Sequence, residues 1–364
     1  MKNATIMVMI ALLAAVVSAV FFFREPERIP GEQHTNTSGD STAPLTPVRT
    51  APELRPSSLP SVNRHAPGKR TGEEEVKEEI HFAVQPEIKT IIGHGSDFSY
   101  RARIAAVHRL GNKLASPAIK ALCDFLRTRH TPEAGMTLMD FNAVKNEVLD
   151  SLISQKNLPE GLGARILQMA DDPDTDWIWR DYCVQHLPEY YSRRWPADKK
   201  EEDGPHQQKH EFIARCWEYA EGPPGPLTGT ALLSLERLKG SHADDFSAER
   251  LGDTAVAVAG NSDAPVTARV PALQIASRLD CKSVLENARE LALTGSPLNL
   301  RISAIAAVGI IGGEDDLGLL KQILDSSDKH AHKAAAAAMK NIRERTVDAA
   351  RIRPRGPEKG NERT

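Results

Sequence analysis

The sequence predicts an all-α fold in which pairs of helices stack in series, and three observations support this prediction. Aromatic residues make up only 5% of the 364 residues, while alanine and leucine are abundant, a balance that favours helix over sheet. Apolar residues recur at helical spacing behind a set of arginines. Towards the C-terminal end, copies of this pattern begin at positions 269, 301 and 333, a constant step of 32 residues. A fixed period of this size indicates repeated helical units.

The N-terminal segment, residues 1–23, predicts a membrane anchor or a signal peptide. As a helix, the uncharged residues 5–23 would be roughly 28 Å long, close to the thickness of the hydrocarbon core. Small residues at positions 17–19 fit a cleavage site, but the apolar run continues through Phe23 without glycine or proline. An uncleaved single-pass anchor is therefore favoured, with a cleaved signal peptide as the alternative. Both place the rest of the chain outside the cytoplasm, in a periplasmic or extracellular space.

The local composition of the chain predicts the boundaries of its remaining segments. Residues 24–72 are rich in proline, serine and threonine and predict a disordered linker, because they hold too little apolar surface to offset the entropy of ordering. Residues 73–95 predict short lead-in helices, and residues 96–346 predict the repeat domain. Residues 347–364 are basic and predict a disordered tail.

The repeat is anchored by arginine. The copies at Arg103, Arg180, Arg269 and Arg301 have apolar or small residues three, four and seven positions after the arginine, which places them on one face of a helix. The copy at Lys333 is a weaker match. Three copies also have an aspartate six positions before it, and a second, leucine-rich helix is expected to follow the first. The aspartate can accept hydrogen bonds from a helix N-terminus and from an arginine of a neighbouring helix, so the sequence predicts a structural ladder. Its members are Asp97, Arg103, Asp174, Arg180, Asp263, Arg269 and Arg301.

This combination of turn aspartate, arginine, small residues and leucine-rich second helix resembles the short HEAT-like repeats of the PBS-lyase type. The resemblance covers roughly residues 96–345 and is weaker in the middle. It implies an α-solenoid, a superhelix of antiparallel helix pairs, used mainly for protein–protein contact or scaffolding. Some bacterial HEAT-like proteins that are membrane-tethered or exported are similar in layout. The resemblance therefore implies an unidentified protein partner, and an enzyme or lyase-like accessory protein on the same scaffold is the alternative.

The middle of the chain departs from the regular pattern. Residues 138–155 and 159–170 predict a helix pair without an obvious arginine, and the copy at Arg180 lacks its second helix at the usual distance. A polar, irregular segment, residues 188–205, is predicted instead, followed by a helix at residues 206–221. Insertions of this kind map to loops on one face of a solenoid, often the face that binds.

The same region holds eight of the nine Trp and Tyr residues of the chain. These side chains are frequent anchors of binding surfaces, but they also fill the core of an irregular unit. The binding candidates are Tyr190, Tyr191, Trp195 and Trp179. The first three flank the polar segment and are expected to be the most exposed.

Other chemistry is weakly indicated. The net charge of −3, from 46 basic and 49 acidic residues, gives no basic excess that would favour nucleic acid. No nucleotide-binding or nucleophile motif is present, so no cofactor and no catalytic residue are predicted. His206 and His210 are one helical turn apart and suit a metal, which makes a metal-responsive binding protein a further alternative. Gln207 takes the place of the glutamate of a zinc-protease motif, and a solvated helix face is favoured.

The four cysteines are widely scattered and predict free thiols rather than a disulfide framework. A bridge between Cys183 and Cys216 is the main alternative for an exported domain.

Overall fold

Every secondary-structure element described by the computed structural model is helical. The structure describes residues 85–93, 98–129, 136–197 and 206–352. The predicted anchor, the linker and most of the lead-in segment lie outside these residues, as does the tail from residue 353 onward. Among the described helices, none is both long enough and apolar enough to span a membrane.

Fourteen α-helices occur in the described residues, and two short 3₁₀ turns precede the eleventh and the thirteenth. In chain order the helices are α1 (Pro86–Ile92), α2 (Tyr100–Val107), α3 (Ser116–Leu126), α4 (Leu138–Ile153), α5 (Leu162–Asp171), α6 (Trp177–Arg194), α7 (His206–Glu221), α8 (Thr228–Ser241), α9 (Ala248–Gly260), α10 (Val266–Arg278), α11 (Leu285–Thr294), α12 (Leu298–Ile311), α13 (Leu317–Asp325) and α14 (Lys329–Ile352). The predicted helices at 138–155, 159–170 and 206–221 are thus confirmed to within a few residues.

The helices form a stack in which each contacts mainly the helices one or two places away in the chain. The even-numbered helices from α2 to α14 pack in series, and each odd-numbered helix packs against the even-numbered helix that follows it. The sequence had paired each arginine-bearing helix with the helix after it. In the structure its more extensive contact is with the helix before it. Contacts restricted to sequence neighbours are typical of repeat architectures, in which no unit buries its own apolar face alone.

The predicted irregular segment was wrong at its start, because α6 continues through Pro188 to Arg194. A proline inside a helix donates no hydrogen bond to the carbonyl four residues earlier, which here is that of Val184. The hydroxyl of Ser234 on α8 donates to this carbonyl across 3.0 Å. The neighbouring helix thus satisfies the acceptor that the proline leaves free, and α6 does not end there.

A second interior proline, Pro271 in α10, leaves the carbonyl of Thr267 without its intrahelical donor. Gly229, on α8, packs directly against this site. A Cβ at position 229 would meet the Thr267 oxygen first and would lie 3.0 Å from both the Cα of Ala268 and the Cγ of Pro271. The close approach of α8 and α10 therefore requires glycine at this position.

We expect Gly229→Ala to lower the free energy of unfolding by about 1–3 kcal/mol, because the added methyl group meets backbone atoms that cannot move aside independently. Gly240→Ala is the matched control, since it lies on the same helix and a Cβ there meets no atom within 4 Å. Chemical denaturation of both variants measures the difference. Equal stability of the two variants would contradict the close packing of α8 against α10.

Candidate functional site

The aromatic candidates lie inside the protein. Tyr191 is fully buried, Trp179 is 1% exposed and Tyr190 is 7% exposed, while Trp195 is partly buried. The expectation that Tyr190 and Tyr191 would be exposed was therefore wrong. Because α6 continues as a helix to Arg194, both tyrosines face the core, where their rings pack against Phe212 at centroid distances of 5.6 Å.

A cluster of polar side chains surrounds the hydroxyl end of Tyr191. The tyrosine hydroxyl donates to Asp245 Oδ2 across 2.9 Å, and Lys209 Nζ lies 3.1 Å from the same oxygen. The Nε2 atom of His242 lies 3.2 Å from the hydroxyl oxygen of Ser192, a pairing that in some enzymes activates a nucleophile. Burial lowers the pKa of His242. Among the described residues, however, no carboxylate hydrogen bonds to this ring, and Asp245 is engaged by Tyr191 and Lys209. The cluster is best understood as packing.

Two grooves flank α5, because α3 and α7 stand apart from it. The Lys145 groove, of about 830 Å³, lies between α3 and α5, and the Tyr190 groove, of about 810 Å³, lies between α5 and α7. Both are bordered by Ala164 and Leu167, so α5 forms a shared wall. The lining of the Lys145 groove includes Leu126, Arg127, Lys145 and Trp179, and that of the Tyr190 groove includes Leu158, Tyr190, Trp195 and Phe212.

The Tyr190 groove has an aromatic floor and a charged rim. Gly163 packs against the Tyr190 ring so closely that a Cβ would lie 2.5 Å from it. Burial raises the pKa of Tyr190, while hydrogen bonds with the Gly163 backbone and with Arg194 lower it. The guanidinium of Arg194 lies 5.7 Å from the centre of the Trp195 ring. Such a combination suits an apolar side chain with polar neighbours.

The Lys145 groove has a buried amine at its base. Lys145 is 3% exposed, and its Nζ donates to the carbonyl of Thr128 across 2.6 Å. The same atom lies 5.0 Å from the centre of the Trp179 ring and 5.2 Å from that of Phe141. Burial lowers the pKa of this lysine to about 8. At the rim, Arg129 pairs with Asp172 across 2.6 Å. The site therefore combines an apolar wall, a buried amine and a charged edge.

The ladder arginines cap the helix that precedes their own. Arg180 Nε donates to the carbonyl of Ala170, Arg269 Nε to that of Ala259 and Arg301 Nε to that of Ala292, at 2.8, 3.2 and 2.9 Å. Arg103 donates to the carbonyl of Ile91, in the last turn of α1, and to that of Gly93, directly after it. The last carbonyls of a helix lack intrahelical donors, so a cation there stabilises the helix end. This explains why each of these helices packs on the helix before it.

Lys145 performs the same task in the unit that has no such arginine, because Thr128 follows the end of α3. Sequence reasoning missed it, since Lys145 lies one helical turn later in α4 than the arginines do in their helices. The sequence offered one signal, a lysine in α4 one helical turn after the position that arginine takes in the other units.

Within the described residues, the ladder aspartates Asp174 and Asp263 form no ion pair with the ladder arginines. Asp97 lies outside the described residues, Asp174 is exposed and pairs with Arg129 across 3.4 Å, and Asp263 is exposed. One ladder arginine pairs instead with an aspartate directly before a helix, since Arg301 lies 2.7 Å from Asp328. Asp176, at the same place before α6, accepts from Asn142 Nδ2 across 2.6 Å. That position brings the carboxylate within reach of the preceding even-numbered helix.

We expect Arg269→Ala to lower the free energy of unfolding by about 1–2 kcal/mol, because it removes a charged donor from the end of α9. Asp263→Ala should change it by no more than about 0.5 kcal/mol, as expected for an exposed surface residue. Thermal melts of the two variants separate these effects. A larger loss for Asp263→Ala would mean that the aspartate, not the arginine, holds the turn.

The remaining candidates were a metal and a disulfide. His210 is exposed on α7, and nothing is described of the His206 side chain. Within the described ranges, no group of three or more His, Cys, Asp or Glu side chains is placed to hold a metal ion.

All four cysteines are free thiols, as predicted, and Cys183 and Cys216 are buried. Burial raises the pKa of Cys216 to about 12, which keeps this thiol protonated and unreactive.

Neither protein-family models nor curated proteins match this chain. The capacity of the site therefore follows from its own geometry. Two grooves with a common wall, largely apolar linings and charged rims can accept extended or helical segments of another molecule.

Proposed function

We propose that this chain is a non-enzymatic protein-interaction or scaffolding module, built as a HEAT-like α-solenoid, and that its partner contacts the two grooves beside α5. The observation that supports this proposal is the shared wall of Ala164 and Leu167. One partner segment crossing α5 would fill both grooves at once. The aromatic side chains that line the grooves would supply apolar contact, and the charged rims would supply orientation.

Polar contacts on both sides hold α5 in place against the neighbouring helices. Asp171, at the end of α5, accepts from Arg215 at 2.6 Å and from the Tyr219 hydroxyl at 2.6 Å, both on α7. Arg129, which follows α3, reaches Asp172 on the other side. These links join α5 to the helices across each groove, so the spacing of the walls is fixed before binding. Such preorganisation lowers the entropic cost of association.

The test fills both grooves with one substitution. Ala164 is exposed and borders both grooves, so Ala164→Trp should obstruct them without disturbing the core. Ala337→Trp, at an exposed alanine of α14, is the matched control. In cross-linking pull-downs from membranes, proteins recovered with the wild type and with the control should be lost with Ala164→Trp. Recovery of the same proteins with all three would rule out the grooves as the contact surface.

We further propose that the N-terminal segment holds this module at the outer face of a membrane, periplasmic or extracellular. The support is the uncharged run at residues 5–23, which lies outside the described residues and is close in length to a single membrane span. The mass of the mature protein and its fractionation test this arrangement. An intact N-terminus in the membrane fraction is expected. Loss of the first nineteen or so residues would instead indicate a cleaved signal peptide.

A further inference from the structure

Lys145 is unusual among the described lysines because it is buried without a carboxylate partner. No Asp or Glu of the described residues lies within ion-pair distance of it, and its neighbours are a carbonyl oxygen and two aromatic rings. By contrast, Lys209, which is also largely buried, lies 3.1 Å from Asp245. A cation held by rings and a carbonyl alone is poorly compensated for the loss of water.

The side chain of Lys145 borders an open groove. Lys145 forms part of the lining of the Lys145 groove together with Leu126, Met169 and Trp179, and the groove volume of about 830 Å³ is within the range of small-molecule sites. Arg127 lies on the same lining and forms no ion pair with a described residue. A ligand in this groove would thus meet an apolar wall, an amine at the base and a guanidinium at the edge.

We infer that Lys145 forms a reversible imine with aromatic aldehydes that carry an anionic group, a binding activity that does not depend on the protein-interaction role proposed above. The aromatic ring of the aldehyde would lie against Trp179 and Leu126 at the wall of the groove. The anionic group would lie at Arg127, which pairs with no carboxylate of the described residues, whereas Arg129 is paired with Asp172.

The reaction needs no oxidant or cofactor. The neutral amine of Lys145 attacks the carbonyl carbon, a C–N bond forms, and a proton passes from nitrogen to the carbonyl oxygen to give a carbinolamine. Loss of the hydroxyl group with the second N–H proton releases one water molecule and leaves the imine. Hydrolysis reverses each step.

The protonation state of the amine favours this reaction at Lys145 over other lysines. With its pKa lowered to about 8 by burial, roughly one tenth of the Lys145 amine is neutral at pH 7, against fewer than about one in a thousand for an ordinary lysine. The groups that raise the pKa again are Asp176 and Cys183, on the side of α6, and their effect is smaller than that of burial. A neutral amine in an apolar site is the usual way in which proteins activate lysine towards carbonyl groups.

The experiment uses the full chain and pyridoxal 5′-phosphate as the probe, at a limiting concentration and neutral pH. Borohydride, an added hydride donor, fixes any imine as a secondary amine, and mass spectrometry of peptides locates it. Lys120 is the internal comparison, because it is 77% exposed and lies on the adjacent α3. We expect labelling at Lys145 to exceed that at Lys120 by about tenfold or more, given the larger neutral fraction. Equal labelling, or no adduct at Lys145, would overturn the inference.

Three variants test the amine and the guanidinium of the site separately. Lys145→Met should lose the preferred adduct, whereas Lys120→Met should keep it. Arg127→Ala should reduce labelling by pyridoxal 5′-phosphate severalfold while leaving labelling by uncharged benzaldehyde unchanged. An equal effect of Arg127→Ala on both probes would overturn the assignment of an anionic ligand. The comparison of Lys145 with Lys120 within the wild-type chain decides the main point even if Lys145→Met does not fold.

Discussion

Replacing Tyr191 with alanine is expected to lower the free energy of unfolding by about 3–5 kcal/mol, the range for large aromatic residues in protein cores. Tyr191 is fully buried, and its ring contacts Trp195, Phe212, His242 and Phe246 at centroid distances between 4.9 and 5.6 Å. Removing it opens a cavity between α6, α7 and α8. It also leaves Asp245 without the hydroxyl that now donates to it.

Urea denaturation measures this loss, and two further variants separate its causes. Tyr191→Phe removes only the hydroxyl and should cost about 1–2 kcal/mol, since the partly buried carboxylate of Asp245 loses one donor. Trp177→Ala, on the same helix but 41% exposed, should cost no more than about 1 kcal/mol. If Tyr191→Ala were as mild as Trp177→Ala, the tyrosine would not be a core residue, and the binding role predicted from the sequence would again be favoured.

Stability is expected to rise with pH because of Lys145. Burial lowers its pKa in the folded state to about 8, whereas the unfolded chain keeps the ordinary lysine value of about 10.4. Between these values the unfolded state binds more protons than the folded state, so the free energy of unfolding increases as pH rises. Below pH 8 the destabilisation is fully present, and it amounts to about 3 kcal/mol for a shift of this size.

The measurement compares the wild type with Lys145→Met at pH 7 and near pH 10. Methionine keeps most of the apolar stem but carries no charge, so the other groups that titrate in this range affect both proteins alike. The wild type should gain about 2–3 kcal/mol relative to the variant over this interval. Lys120→Met, which alters an exposed lysine, should show no such change. A constant difference between the wild type and Lys145→Met would mean that the amine is not buried as described.

The amino-acid sequence by itself determined the helical class and the placement of most helices. The apolar spacing behind Arg103, Arg180, Arg269 and Arg301 is a local property, because residues three, four and seven positions apart share a face of any helix that contains them. The start of α4 at Leu138 and of α7 at His206 followed from the same periodicity. Free cysteines also followed from local evidence, namely their wide spacing and apolar surroundings.

Only the tertiary structure decided which helix each arginine holds and which aromatic side chains are covered. Pro188 predicts a helix end on local grounds, yet α6 continues because Ser234, far away in the chain, donates to the freed carbonyl. That continuation buries Tyr190 and Tyr191. Likewise, Lys145 is an ordinary helical lysine until Phe141, Trp179 and Thr128 surround it. Burial and pKa depend on contacts between distant segments, and a single sequence does not encode those contacts in its local pattern.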